Sequence, residues 1–305
     1  MVGPLTRNAG RVAVAGALTI AFSAILVRKA NVSPATAAVF RCAYAVPVLG
    51  VLAWVERRRE GPRSRREIKL SLWAGAFFAA DLICWHYAIH DVGAGLATVL
   101  GNLQVVLVGL VAWLTLGERP EARVMAAVPI ALFGIVLISG AIGGGAYGQD
   151  PMRGVVFGVA TGLTYSGFIL ILRQSGRDLS RPVAPLFEAT AFAAVFSLAA
   201  GIAIGDVSVT PSWPAHGWLL LLALSSQVVG WLLISISLPR LPAALTSVLL
   251  TVQPVGSVIL GVVLLSEAPS LLQLVGVACI FSGIIVATAR RTPVRVAATV
   301  PDVDR

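Results

Sequence analysis

The chain has 305 residues, of which 57% are hydrophobic and only 12% charged, and its mean hydropathy is +0.89. A soluble domain carries about 25% charged residues, so too few polar side chains exist here to cover a globule in water. The composition excludes a disordered chain, a coiled coil and an ordinary soluble enzyme, and leaves a polytopic membrane protein.

Ten apolar segments follow in chain order, at 10–28, 34–54, 70–90, 93–116, 122–141, 153–173, 182–204, 216–237, 243–265 and 270–289. Each approaches the roughly 20 residues that a helix needs to cross a bilayer. They are too long for barrel strands, and a helix is the element that satisfies its own backbone in hydrocarbon. The segment at 10–28 follows Arg7 and Arg11 as a signal peptide would, but it is long for one and nine further spans follow. It is read as a retained first helix.

The net charge of +9 would suggest a nucleic-acid partner in a soluble protein, yet the cations sit in short runs between apolar stretches. With the N-terminus inside, the inner segments hold 19 Lys and Arg, among them Arg57, Arg58, Arg59, Arg63, Arg65, Arg66 and Lys69. The outer loops hold Arg28, Lys29 and Arg153. This asymmetry places both termini in the cytoplasm and agrees with an even number of spans. Residues 142–152 read as an external linker rich in glycine, and 290–305 as a disordered cytoplasmic tail.

The two halves repeat. Shifted by 149 residues, Leu96 falls on Leu245, Gln104 on Gln253, Glu118 on Glu267, Pro120 on Pro269 and Gly134 on Gly283. Val39-Phe40-Arg41 falls on Leu186-Phe187-Glu188 at an offset of 147, and Phe22-Ser23 on Tyr165-Ser166 at 143. Five spans per half is an odd number, so residues 1–141 and 153–289 form two repeats of opposite orientation. Such repeats place a substrate site near the midplane of the membrane, between the halves.

The residues Leu116-Gly117-Glu118-Arg119-Pro120 with Gly134, their second copy Leu265-Ser266-Glu267-Ala268-Pro269 with Gly283, and Pro242-Ala243-Ala244-Leu245-Thr246-Ser247 leading into Gln253-Pro254 carry a resemblance. The chain is similar to the EamA-type family of the drug/metabolite transporter superfamily over about residues 10–290. That resemblance implies ten helices as two inverted five-helix repeats, a central cavity and an alternating-access carrier, usually an exporter of amino acids, related metabolites or drugs. Gln104-Val105 departs from the pattern where the second copy has Gln253-Pro254, so a proline-induced helix break is expected in the second half only.

Charged and polar groups within the spans are few, and such groups face the bundle interior and mark pathways. Asp81, Arg41 and Asn102 can share one depth and form a polar cluster. Asp81 is read as the proton-linked group or the counter-charge of a substrate amine, or else as a structural partner of Arg41. Trp85 lies one turn beyond Asp81 and suits an organic cation, or packs against lipid. Gln104, Gln227, Gln253 and Tyr165 complete the candidate binding set, with the amides equally able to join helices. Arg41 and Glu188 occupy matching repeat positions with opposite charge and are read as a gating or structural ion pair, a contact of Glu188 to Arg173 or Arg177 being the alternative. Tyr44 is a further cavity hydroxyl; His86 and His90 lie close to the outer surface. Glu118 and Glu267 are expected to bond the first N–H groups of the helix that follows each.

Cys42, Cys84 and Cys279 show neither disulfide nor metal spacing. No nucleotide-binding, metalloprotease or nucleophile-elbow motif occurs. The reading is therefore a non-enzymatic carrier without cofactor or metal, driven by an ion or solute gradient (protons included). It would sit in the cytoplasmic membrane as a monomer or homodimer, moving a small molecule. Drug, nucleobase or sugar-derivative carriage and a non-transporting membrane subunit are the alternatives.

Overall fold

The computed structural model describes residues 9–107, 122–143, 145–176, 178, 180–237 and 252–288. The Glu118-Arg119-Pro120 motif, the Pro242 to Ser247 run, Arg177 and the C-terminal tail lie outside the described residues. Among the described residues the regular structure is helical throughout. In chain order the helices are α1 (Ala9–Ala21), α2 (Ser23–Ala30), α3 (Pro34–Glu60), α4 (Arg65–Val92), α5 (Ala94–Gly101), α6 (Ala122–Ile138), α7 (Pro151–Ser175), α8 (Ala184–Ile204), α9 (Ala215–Leu222), α10 (Trp231–Ser237), α11 (Val252–Leu265) and α12 (Leu271–Thr288).

A π-helical segment, Ala223–Gly230, joins α9 to α10 in one span. Taken with α1–α2 as another, six helical spans among the described residues are long and apolar enough to cross a membrane, and four shorter apolar helices accompany them. Helices α3 and α4 overrun their expected ends at 54 and 70 because arginines continue the turns into the interface, where their charge is solvated.

Local sequence fixes the starts. Ser33 and Pro34 open α3, with the Ser33 hydroxyl accepting from Thr36 N–H at 3.4 Å. Ser64 and Glu67 form a reciprocal capping box at α4, at 3.2 and 2.7 Å. Asp150 and Pro151 open α7, and the Asp150 carboxylate accepts from Arg153 N–H at 3.0 Å.

The helices pack as antiparallel pairs, one member from each half. Along α4 and α7, Ser71 meets Ser175 at 2.8 Å, Phe78 stacks on Phe168 at 4.3 Å and Tyr87 stacks on Phe157 at 4.9 Å. Along α3 and α8, Gly50 faces Phe187 and Ala35 faces Gly201. Helix α5 packs on α11, and α1–α2 packs on the span from α9 to α10.

The pairing of α6 with α12 shows the repeat directly. A Cβ on Gly134 would stand 2.7 Å from the Gly276 carbonyl oxygen, and one on Gly276 would stand 2.7 Å from the Gly134 oxygen. Shifting by 149 residues carries this contact onto Gly283 against Ala127, where an added Cβ would meet the Ala127 oxygen at 3.3 Å. Backbones this close need small residues, as is general between helices in lipid. Pairs α3·α8, α5·α11 and α6·α12 join helices that match across the repeat. Exchange of the halves turns the α4·α7 pair into the pair of α1–α2 with the α9-to-α10 span.

Candidate functional site

Three interruptions of helix geometry meet near the middle of the bundle. Phe22 separates α1 from α2. The carbonyl of Ala21 there accepts the Ser257 hydroxyl at 3.0 Å, and that of Ile20 accepts the Ser23 hydroxyl at 2.6 Å. Helix α5 is interrupted at Asn102 and Leu103, where backbone bonds shorten to three-residue steps, and the chain resumes helical form over 104–107. The Asn102 side-chain amide donates to the Thr98 carbonyl at 2.9 Å. In the π-helical segment the Trp231 N–H reaches back five residues to Ser226. Irregular backbone at membrane depth is tolerated where it is buried in protein or lines a cavity, and wide turns of this kind recur at functional sites.

The interruption at Asn102 corrects the expectation of a break in the second half only. The first copy breaks without a proline, three residues before Val105. Pro254 is the third described residue of α11, and the chain before Val252 lies outside the described residues.

A narrow cavity of about 50 Å³ lies among these interruptions. Arg41, Asp81, Trp85, Asn102, Tyr165 and Gln253 line it, as do Ser23, Thr98 and Thr161, against an apolar wall of Ile20, Phe78, Leu82 and Trp231. The lining draws on both halves. The sequence reading missed the three hydroxyls and Trp231, because such residues in an apolar run look like ordinary packing.

Two of the lining residues carry charge. Arg41 is 3% exposed; its Nε donates to Gln227 Oε1 at 3.0 Å, and its guanidinium carbon stands 5.5 Å from the centre of the Trp85 ring. Gln227, fully buried in the π-helical segment, donates in turn to the Thr190 hydroxyl at 3.1 Å. Asp81 is 6% exposed, and among the described residues no hydrogen bond or ion pair reaches its carboxylate. The Asp81–Arg41 ion pair considered from sequence is therefore not formed among the described residues.

The remaining candidates sit elsewhere. Gln227 lies behind Arg41 rather than on the cavity wall, and Gln104 is buried outside the lining. Glu188 pairs with Arg63, and among the described residues with neither Arg41 nor Arg173; Arg63 also donates to Ser71 at 3.0 Å and to the Ser175 hydroxyl at 2.7 Å. The reason is positional: Arg63 lies in the turn before α4 and reaches the second turn of α8, whereas Arg41 lies mid-helix and is held by Gln227. Tyr44 bonds the His216 ring at 2.6 Å, and His86 bonds the Pro34 carbonyl at 3.1 Å. His90 lies 3.0 Å from Asp91.

Glu267 corrects a further expectation. It bonds the first N–H groups of a helix, but that helix is α5 of the other half: Ala94 N–H donates to Oε1 at 2.6 Å and Gly95 N–H to Oε2 at 3.2 Å. Two more carboxylates act across the halves in the same way. Glu56 accepts from Val183 and Ala184 N–H at 3.1 and 2.7 Å, and Asp206 accepts from Ala35 N–H at 3.4 Å. In each case an anion sits at the positive end of a helix dipole.

Known proteins share this organisation. A family model described as EamA-like transporter matches residues 11–140 and again 152–289. An uncharacterized transporter of Bacillus subtilis is 24% identical over 68% of this chain and 64% of its own length. One from Archaeoglobus fulgidus is 24% identical over 56% of this chain and 59% of its own length. The chain thus spans about three fifths of the length of these curated relatives. A solved crystal structure superposes with a TM-score of 0.59 at 20% identity, covering 92% of this chain and 96% of that one, and shows the same fold. With its two matched repeats, its membrane-length helices and its polar central cavity, this chain is a multi-pass membrane protein that belongs to the EamA-like transporter family.

Proposed function

We propose that the protein carries small zwitterionic metabolites, amino acids and related compounds, across the cytoplasmic membrane by alternating access, in the direction of export. The observation that carries this reading is Asp81: a carboxylate on a cavity wall with no hydrogen bond or ion pair from the described residues, in a cavity that the Arg41 guanidinium also lines. A buried carboxylate without a partner is costly, and a substrate ammonium removes that cost. Arg41 matches a substrate carboxylate, and its fixed planar donors suit bidentate contact. Trp85, close to the guanidinium, offers a ring face to the same ammonium or to an apolar side chain. Asn102, Gln253 and the three hydroxyls supply neutral hydrogen bonds.

Asp81 also suits a proton-coupled step, since protonation and an ammonium compete for the same oxygens. The antiparallel pairs between halves are consistent with inverted repeats that exchange conformations about the cavity. The distribution of Lys and Arg supports cytoplasmic termini.

The test is flux in proteoliposomes. Labelled amino-acid pools are loaded with and without an imposed proton gradient, for the wild type and for Asp81→Asn. Flux that requires both the gradient and Asp81 supports the reading. Flux indifferent to both assigns a facilitated carrier that does not use Asp81. Absence of flux for every amino acid moves the search to drugs, nucleobases and sugar derivatives.

A further inference from the structure

A second cavity, of about 340 Å³, opens at the end of the bundle that carries the basic loop. Ligand sites occupy about 300–1,000 Å³. Its wall combines the ends of α3 and α8 with the turn before α4: Ala53, Trp54, Phe187 and Ile68 on the apolar side, and Arg57, Arg63, Arg181, Glu56 and Glu188 on the polar side.

Most of these charges are already committed. Both Glu56 oxygens accept backbone N–H groups, and Glu188 pairs with Arg63. Arg181 donates to the carbonyls of Pro62 and Glu60 and meets Asp178 at 3.2 Å. Arg57 is different. It is exposed, and among the described residues nothing bonds to its side chain. The cavity therefore presents one unsatisfied cation, and Arg58, Arg59, Arg65, Arg66 and Lys69 add positive charge around it.

The apolar side is equally marked. Trp54 is 52% exposed, with the Arg58 guanidinium carbon 3.8 Å from its ring centre. A tryptophan beside a cation is what the boundary between headgroups and acyl chains selects. The exposed faces of Val51, Val55 and Trp73 run on from it along α3 and α4. A ligand here meets a cation, then an aromatic ring at the interface, then hydrocarbon. That order matches a phosphate headgroup followed by acyl chains.

We propose that this cavity binds one anionic phospholipid, with its headgroup phosphate on Arg57 and its glycerol region and upper acyl chains against Trp54, Ile68 and Phe187. Surface potential alone attracts anionic lipid to any basic loop; the cavity adds a defined seat at one arginine. The site is independent of the substrate cavity and stands or falls separately from the proposed transport function.

Native mass spectrometry of the purified full chain, equilibrated with equal phosphatidylglycerol and phosphatidylcholine, tests this. The wild type retains a single phosphatidylglycerol in preference, by about fivefold for one interfacial cation. Arg57→Gln removes the preference and Arg57→Lys keeps it. No preference in the wild type overturns the proposal. So does a preference that survives Arg57→Gln but is lost on neutralising Arg65, Arg66 and Lys69, which would be diffuse attraction. Displacement of the lipid by inorganic phosphate also overturns it, because the phosphate group alone would then be the ligand. A second measurement uses no arginine variant: brominated phosphatidylglycerol quenches the Trp54 share of fluorescence, defined against Trp54→Phe, more strongly than brominated phosphatidylcholine does. Equal quenching overturns the proposal.

Discussion

Glu267, at the end of α11, holds the start of α5 in the opposite half: its two oxygens take the N–H groups of Ala94 and Gly95 at 2.6 and 3.2 Å. The approach is close enough to restrict every neighbour. A Cβ on Gly261 would stand 2.4 Å from Oε2, and one on Gly93 would stand 2.9 Å from Oε1. Gly93 also has φ +92°, a conformation that a side chain disfavours, and it alone separates α4 from α5.

Removing this carboxylate leaves two helix-terminal N–H groups without an acceptor in a buried place. Each such loss costs about 1–3 kcal/mol. Glu267→Ala is therefore expected to lower the thermal unfolding midpoint in detergent markedly. Glu267→Gln, which keeps one acceptor oxygen, is expected to lower it by less than half as much. Equal loss for the two would mean that the negative charge at the helix dipole, rather than the number of acceptors, holds the junction.

The crossing of Gly134 and Gly276 gives a graded steric prediction. An added methyl on Gly134 meets a carbonyl oxygen at 2.7 Å, on Gly283 at 3.3 Å. Overpacking of a tight contact costs about 1–3 kcal/mol. Gly134→Ala and Gly276→Ala are expected to destabilise clearly, and Gly283→Ala only slightly. Unfolding midpoints in one detergent check the ranking; a reversed order would show that the crossing relaxes freely.

How much of this was legible beforehand divides along physical lines. Asp81, Arg41, Trp85, Asn102, Tyr165 and Gln253 were singled out because polar groups are rare and costly in lipid, and all six line one cavity. The repeat match of Gly134 to Gly283 was legible, but the packing of α6 on α12, through Gly134 and Gly276, was not. Partners were not legible. Glu188 shares a repeat position with Arg41, yet Arg63, in a turn far off in sequence, reaches it first. Glu267 was expected to serve the helix next in sequence, but across an antiparallel bundle the nearest orphan N–H groups belong to the other half. The interruptions at Phe22 and Asn102 and the π-helical segment carry no proline, and Gly101 and Gly230, which lie at two of them, look like the small residues of any close helix contact, so the breaks were not announced.

The chain from Thr190 through Gln227 to Arg41 predicts strong coupling. Gln227→Leu leaves the Arg41 Nε unpaired in a buried place, and a hydrogen bond to a charged group contributes about 1.5–3 kcal/mol. Arg41→Met alone leaves the Gln227 oxygen unpaired. The double variant removes both partners and is expected to be less destabilised than the sum of the two single ones by at least about 1 kcal/mol. Thr190→Val, which breaks only the outer neutral bond, is expected to cost about 1 kcal/mol or less. Additive losses would show that Arg41 is held by other groups and that Gln227 does not position it.

Asp81 separates function from stability. In a structural role it would be the counter-charge of Arg41, and Asp81→Asn would strand a buried cation, at about 3–5 kcal/mol for breaking such a pair. Among the described residues no hydrogen bond or ion pair reaches the carboxylate, and on the proposed reading its burial is a cost that a bound ligand offsets. Asp81→Asn keeps the size and shape of the side chain and removes the charge. The substrate-free protein is therefore expected to unfold at the wild-type temperature or above it, while flux falls at least tenfold. A substrate that raises the unfolding midpoint of the wild type by binding the folded state is expected to leave that of Asp81→Asn unchanged. A lower midpoint without substrate would instead make Asp81 a partner of Arg41 and return the binding role to Asn102, Gln253 and Trp85.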